Sequence, residues 1–399
     1  MQKPQIKEIY DPYEINKNVK RNNVVVVMPI FNQYEATKKN ILLIKQQTLV
    51  PDILIVDNGS TDNTFEKLKK EFYDVILIKA KDNYGGAGGF YLGQKYAYEK
   101  GYEYIILNDN DAYPVDNDLI ENLIKECDEN TVVQAFNVDE DDLRNYILWF
   151  FHWCSFHRKT IQKIGFIKYF LFLYGDEVEY SLRLKKFHIL IKKIYKKYSH
   201  PMKYHYPPNR VYFAIRNEIY NQVKYPKLRS KSIISMLVVP LTFYKLYEPT
   251  KYKIAKQAIK DLLNEKWDNS FIKNKFELDV EYKQVSKEQF IKKLNNQKIT
   301  YTEKPKIKKL LETYSKKQKY SKISFLKSKI LLTHTPTINI FWFDKVYYIV
   351  DYNEKENTVT YFELKNNMIT KLKFLLLLFF HYLYLKIIMT HLKKKIMKF

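Results

Sequence analysis

Through the first 140 residues, short runs of aliphatic and β-branched side chains alternate with stretches in which apolar positions recur every three or four residues. Residues 24–28 (VVVVM), 53–56 (ILIV), 75–78 (VILI), 104–107 (YIIL) and 131–133 carry no polar interruption. Such runs predict strands buried on both faces. Residues 34–47, 62–71, 87–99 and 116–127 have helical spacing instead. Strand and helix in strict succession predict right-handed crossovers and a mainly parallel sheet flanked by helices. Ligands of such sheets bind beyond the carboxyl ends of the strands.

Further on, the pattern loosens. An aromatic stretch at 148–156 (LWFFHWCSF), a helix near Ile161 and the segment GDEVEYSLR lead to YSHP and to YFAIRNEIY. Beyond residue 225, residues 233–247 read as an apolar helix interrupted by Pro240, and 251–264 as an amphipathic one. Residues 268–325 are lysine-rich and read as helical, with a flexible connection near 304–306. Residues 338–350 and 358–364 alternate like a hairpin across DYNEKEN, and from Phe374 the tail is apolar and then basic. The expected organisation is a lead-in at 1–21, a catalytic domain at 22–225, a basic helical region at 226–330, a small hairpin region at 331–370 and a terminal helix at 371–399.

Composition narrows the classes. A chain of 399 residues with 46% apolar and 28% charged side chains suits two domains and excludes a disordered or collagen-like polymer. Two cysteines, Cys127 and Cys154, make neither a disulfide framework nor a zinc site. The first thirty residues lack the charged, apolar and small-residue order of a secretory signal, so a cytoplasmic protein is expected. Charge is split: residues 1–180 hold 21 Lys+Arg against 28 Asp+Glu, whereas 181–399 hold 47 against 16, a net of +31. An excess of that size attracts polyanions or an anionic membrane surface.

Candidate chemistry sits where the strands end. Asp109 and Asp111, one residue apart after a buried strand, suit a hard cation such as Mg²⁺ or Mn²⁺, whose protein sites often use one or two carboxylates completed by substrate phosphates. Four of only nine glycines fall at Gly85, Gly86, Gly88 and Gly89, a place where the backbone bends or lets a ligand approach. The third glycine of the dinucleotide fingerprint is absent, and the cluster follows the third strand, not the first, so a nicotinamide site is disfavoured. Asp57 could accept hydrogen bonds from a base or ribose, while Ser60 or Thr61 is expected to cap the next helix.

Taken in order, VVVVMPIFNQ, ILIVDNGSTDNT, NYGGAGGF, YIILNDNDA, GDEVEYSLR, SHP and RN resemble family 2 glycosyltransferases of the GT-A fold. NYGGAGGF and the DEVEYSLR ending resemble most the bacterial galactofuranosyltransferases and their rhamnosyltransferase-like relatives. The resemblance covers about residues 22–265. It implies an inverting transferase that takes a sugar from a nucleotide diphosphate donor with Mn²⁺ or Mg²⁺. It also implies that Pro29, Phe31, Asp57, Asn83, Gly85 and Gly86 line the nucleotide-sugar site and that Asp109 and Asp111 hold ribose and metal. Further, it implies that His200 completes the metal site, that His152 and Trp153 meet the acceptor, and that Glu177 is the base. Asp176 could exchange roles with Glu177, because the family commonly shows Asp at the second position. Asn108 stands where relatives often have a third acidic residue.

UDP-galactofuranose is the donor the resemblance favours, with dTDP-rhamnose second, and the acceptor is expected to be a cell-envelope glycan or a lipid-linked saccharide. The apolar stretch from Phe374 to Thr390 contains His381 and Lys386, so it reads as a helix at the inner face of the cell membrane before it reads as a span. A nucleic-acid-binding or assembly protein is the competing class. No helix-turn-helix, zinc-finger or RNP pattern supports it, and no nucleic-acid partner is expected.

Overall fold

The computed structural model describes residues 3–16, 18–136, 148, 151–200, 208–229, 233–267, 271, 283–294, 299–301, 310–311, 317–319, 330–333, 345–353, 358–365 and 368–396. The chain forms two compact units, Met1–Pro201 with Trp267–Asn269, and Met202–Lys266 with Ser270–Phe399.

The first unit is built on an eight-stranded sheet. Its strands are β1 (Ile6–Tyr10), β2 (Val24–Ile30), β3 (Asp52–Asp57), β4 (Ile76–Ala80), β5 (Tyr104–Leu107), β7 (Thr131–Phe136), β8 (Cys154–His157) and β9 (Leu190–Tyr195), in the order β1-β4-β3-β2-β5-β8-β7-β9. A short pair, β6 (Tyr113–Pro114) with β10 (Tyr198–Ser199), forms a separate ribbon. Strands β4, β3, β2 and β5 are parallel and in register with the expected runs. Every residue of β2 and β3 is buried, as strands covered on both faces require. Order reverses between β2 and β5, because β3 and β4 follow on one side and β5 returns to the other. A crevice at that reversal is where such sheets take ligands.

Helices α1 (Pro12–Ile15), α2 (Tyr34–Ile44), α3 (Thr64–Glu71), α4 (Gly85–Glu99), α5 (Leu119–Lys125), α6 (Arg158–Ile164) and α7 (Asp176–Lys186) complete the unit. Close packing of α4 explains part of the glycine cluster: a Cβ at Gly89 would fall 2.5 Å from Cβ of Pro29, and one at Gly93 would overlap Val27.

The structure adds three strands to the expected sheet, β1, β8 and β9, the last parallel to β7. β1 lies within the lead-in and pairs antiparallel with β4 at the edge. Its alternation of half-buried and exposed positions, IKEIY, lacks the continuous apolar signal of its neighbours. The aromatic stretch ends in β8, antiparallel to both β5 and β7, so the sheet is mixed on that side.

In the second unit, α8 (Pro208–Lys224), α9 (Pro226–Arg229), a π-helical turn (Ile234–Val238), α10 (Val239–Tyr247) and α11 (Pro249–Leu263) form a helical group. Pro240 lies in the first turn of α10, directly after the π-helical turn, so the interruption expected there is a local change of helix type. The lysine-rich region at 268–325, read as helical with a connection near 304–306, also contains strands. Besides α12 (Lys287–Lys293), it contributes β11 (Lys283–Ser286), β12 (Ile299–Tyr301) and β13 (Lys317–Lys319) to a six-stranded sheet with β14 (Ile330–Thr333), β15 (Lys345–Asn353) and β16 (Thr358–Lys365). Short segments such as KQVS and ITY carry β-branched and aromatic residues, which lysine density obscures. The expected hairpin is the antiparallel pair β15 and β16. Residues 304–306 and 338–344 lie outside the described residues. Met368–Ile396 is a single helix of 29 residues.

Candidate active site

After β5 the chain turns at Asn108, and two buried amides fix the turn. Asn108 Nδ2 donates to the Ala112 carbonyl at 3.0 Å, while its Oδ1 accepts from the Trp153 N–H at 3.2 Å. Asn40, on the buried face of α2, donates through Nδ2 to the carbonyls of Asn110 at 3.0 Å and Ala112 at 3.1 Å. The loop is thereby closed on itself, and the side chains of Asp109 and Asp111 remain partly exposed. Asn108 does not stand in for a third acid at the rim. It is fully buried and uses an amide's donor and acceptor together, which a carboxylate cannot do.

Two imidazoles meet these acids. His152 Nε2 lies 3.1 Å from Asp109 Oδ2, and His200 Nε2 lies 3.3 Å from Asp111 Oδ1. The rings themselves are 4.2 Å apart between centroids. Burial would raise the Asp111 carboxyl, but the His200 hydrogen bond and the charges of His200 and His152 outweigh it and hold the group below its ordinary range.

The second acidic pair opens α7. Gly175 precedes it with φ of +78°, a conformation that glycine adopts without strain. Asp176 is buried and Glu177 half-buried. Burial raises the Asp176 carboxyl well above its ordinary value, and the charge and hydrogen bond of Glu177 add to this. Burial also raises Glu177, against the hydrogen bond it accepts from Asp176. The two carboxyls thus interact directly, and burial raises both, Asp176 the more. The charge of Asp109 raises both groups, which ties this pair electrostatically to the loop after β5. Glu179, the third acid of the turn, is committed elsewhere: its carboxylate lies 2.8 Å from Arg183 Nη2 with both side chains buried.

On the other side of the reversal, Asp57 ends β3. Its Oδ1 accepts from the Ser60 N–H at 2.7 Å, whereas its Oδ2 is buried without a hydrogen-bond partner. Burial raises its carboxyl against the bonds from Ser60. Ser60 and Thr61 do not cap α3. Ser60 Oγ accepts from the Asn32 N–H at 2.9 Å and the Thr61 N–H donates to Asn32 Oδ1 at 2.8 Å, joining the loops after β2 and β3. The helix starts at Thr64, whose N–H bonds to Asp62 Oδ1 at 3.1 Å.

Other expected ligand contacts divide. Phe31 is exposed beside Asn32, and Asn83 Oδ1 accepts from the Gly85 N–H at 2.8 Å. Pro29 is buried beneath Gly89 and cannot line an open pocket. Gly85, expected to let a donor approach, is covered: a Cβ there would overlap the Phe172 carbonyl oxygen, which also accepts from the Ala87 N–H at 3.1 Å. Gly86 keeps more room, with Leu173 Cδ1 at 3.9 Å from a Cβ. Trp153, expected to meet an acceptor, is fully buried in the core at φ of +49°, the usual fate of a large aromatic ring. His152 is also buried and faces Asp109. Asn40 escaped the sequence reading. Its only signal was an amide on the inward face of an otherwise apolar helix repeat.

Among the described residues, no group of three or more His, Cys, Asp or Glu side chains is placed so that it could hold a metal ion by itself. What the loop offers is two partly exposed carboxylates and an imidazole at an open edge. That donor set fits a hard divalent cation whose remaining positions go to phosphate oxygens and water.

The sequence model of glycosyl transferase family 2 matches residues 25–176, from the first core strand to Asp176. The galactofuranosyltransferase GlfT1 of Mycobacterium tuberculosis is 25% identical over 195 residues, 41% of this chain and 64% of that protein. GlfT1 of Mycolicibacterium smegmatis is 24% identical over 195 residues, 40% of this chain and 65% of that one. The match thus spans less than two thirds of the length of these curated relatives. Among solved structures, the mannosyltransferase PcManGT from Pyrobaculum calidifontis, in complex with GDP-Man and Mn²⁺, aligns with a TM-score of 0.43 at 14% identity, over 64% of this chain and 77% of that one.

Proposed function

We propose, from the premise that residues 25–176 are a family 2 glycosyl transferase domain, that the protein is an inverting glycosyltransferase using a nucleotide diphosphate sugar. The observation that carries the proposal is the loop after β5, where Asp109 and Asp111 stay partly exposed with His152 Nε2 at 3.1 Å and His200 Nε2 at 3.3 Å, together with the acidic pair Asp176 and Glu177 at the start of α7. One acidic group suits the diphosphate end of a donor, and the other suits an acceptor hydroxyl.

Asp57, with its unpaired buried oxygen, would accept from the N–H edge of the base, and the exposed Phe31 ring would lie against its face. Asp109, Asp111 and His200 would hold Mn²⁺ or Mg²⁺, which when bound stabilises negative charge on a departing diphosphate. His152, whose Nε2 lies 3.1 Å from Asp109 Oδ2, would orient that carboxylate. Glu177 acts as the base. Its carboxylate takes the acceptor hydroxyl proton as the acceptor oxygen bonds to the anomeric carbon and the bond to the diphosphate breaks on the opposite face. Asp176 keeps its own proton and donates a hydrogen bond that holds Glu177 ionised. A single base suffices for inversion when it stands within hydrogen-bond reach of the nucleophile.

The likeness to the galactofuranosyltransferase GlfT1 supports galactofuranose as the sugar, and the family resemblance of the sequence motifs favours UDP as its carrier and a glycan or lipid-linked saccharide as acceptor. The basic, apolar C-terminus supports a position on the cytoplasmic face of an anionic membrane. Thermal unfolding with a panel of nucleotide sugars tests this reading, since a ligand of the folded state raises the melting temperature. UDP-galactofuranose with Mn²⁺ is expected to stabilise most, and the effect is lost in Asp111→Ala. Stabilisation by dTDP-rhamnose alone would move the donor assignment, and stabilisation by none of the panel would refute the function.

A further inference from the structure

The C-terminal helix, Met368–Ile396, is apolar along two opposite faces. One face carries Phe374, His381, Leu385, Ile388, Leu392 and Ile396, all buried against α8, α10 and the π-helical turn. His381 is only 6% exposed; its Nδ1 lies 2.9 Å from Thr242 Oγ1 and its Nε2 lies 3.1 Å from the Tyr252 hydroxyl. The other face shows Leu372, Leu376, Phe379, Phe380, Leu383 and Ile387, between 42% and 71% exposed. Their spacing of three or four residues puts them in one stripe about 20 Å long. Ile234 and Met236 are also exposed, on the π-helical turn that packs against this helix.

Charge identifies what covers this surface. Residues 364–399 contain eight lysines and no acidic residue, and Lys373, Lys386 and Lys393 are exposed. An apolar stripe flanked by exposed cations complements an anionic bilayer, with acyl chains for the stripe and headgroups for Lys373, Lys386 and Lys393.

By length and composition, Leu372–Lys393 could also cross a membrane. Crossing would require the buried face to leave the protein. His381 would lose Thr242 and Tyr252, and five large apolar side chains would leave the packing of the second unit. Lying in the interface satisfies both faces at once. We infer that the C-terminal helix is an in-plane membrane anchor that docks on its own protein through the His381 face and enters one leaflet of an anionic bilayer through the Phe379–Phe380 face. The inference rests on the membrane reading above and specifies the surface and the mode of attachment.

The test uses the full chain and vesicles of equal parts phosphatidylglycerol and phosphatidylcholine. The protein is expected to float with these vesicles, to bind pure phosphatidylcholine more weakly and to be released by alkaline carbonate. Phe379→Gln with Phe380→Gln, at exposed positions, should leave the melting temperature unchanged and weaken vesicle binding at least about tenfold. Lys373→Gln, Lys386→Gln and Lys393→Gln together should remove the preference for anionic lipid. Resistance to carbonate would overturn the inference in favour of a span. Unchanged binding by the double phenylalanine variant would overturn it too, as would self-association that this variant abolishes in a protein that ignores vesicles. Nucleotide-sugar stabilisation, read on the same samples, is independent of all these outcomes, so loss of the anchor and loss of the transferase reading are told apart.

Discussion

Replacing Gly85 by alanine tests how the glycine cluster and the acidic helix depend on each other. At φ of +69° an alanine is strained by about 1–2 kcal/mol. The new methyl would also overlap the Phe172 carbonyl oxygen, which is backbone and cannot rotate away. If Phe172 retreats, the Ala87 N–H loses its acceptor, at a further cost of about 1 kcal/mol or more. Together these give roughly 3 kcal/mol, which in a unit of this size lowers the melting temperature by about 6–12 °C. Gly86→Ala is the internal control. Its methyl meets nothing nearer than 3.9 Å, and in a helix alanine gains about 0.5–1 kcal/mol over glycine. Thermal unfolding of the two variants should therefore move in opposite directions. Phe172 also lies four residues before Asp176, so Gly85→Ala should reduce turnover beyond its effect on donor binding. Equal melting temperatures, or a Gly86 variant that suffers more, would refute the close approach on which the reasoning depends.

Glu177→Gln should reduce transfer by about 10²–10⁴-fold with donor stabilisation retained. Asp176→Asn, which can still donate to Glu177, should keep most of the activity; steady-state kinetics reverses the assignment of the base if the two swap. Because burial raises Glu177, turnover should begin to fall on acidification at a pH above the ordinary carboxylate range, seen as the acid limb of the rate profile. Asn40→Ala should weaken stabilisation by donor with Mn²⁺, and Asn40→Asp should be worse, since a carboxylate would face the carbonyls of Asn110 and Ala112; thermal shift ranks them. His381 is held down to about 4, first by burial and then by Lys245, so its contribution to stability is complete above its unfolded value near 6.5 and is lost as pH falls toward 4. By about pH 5 the loss is roughly 2 kcal/mol, and His381→Gln should abolish this component of acid unfolding.

The parallel strands could be read from the chain because burial on both faces leaves an uninterrupted aliphatic run, and β2, β3, β4 and β5 follow those runs closely. β1 and β8 escaped that reading for a physical reason: one is an exposed edge and the other lies within an aromatic cluster whose period resembles no single element. The acids at 109, 111, 176 and 177 were identifiable because they fall in an ordered series of polar segments at strand ends and a helix start. An acid at such a place alone also serves turns and helix dipoles. Residues that hold them were harder to see. Asn40 is about seventy residues from the loop it braces, and His152 follows two phenylalanines that suggested a core or an acceptor platform. Glycine misled most, because scarcity marked close approach correctly but could not say whether the approaching group was a ligand or the protein's own Phe172.

The bracing of the acidic loop by Asn40 has a bearing on how pieces of this chain behave. A fragment beginning after α2 would still contain NDNDA in full, yet it would lack the amide that gathers two of that segment's carbonyls. Retention of the motif is therefore no guarantee of a competent loop. Partial genes, split reporters and domain swaps cut between Asn40 and Asn108 should yield proteins with the right letters and the wrong geometry, recoverable when the piece that carries α2 is supplied in trans.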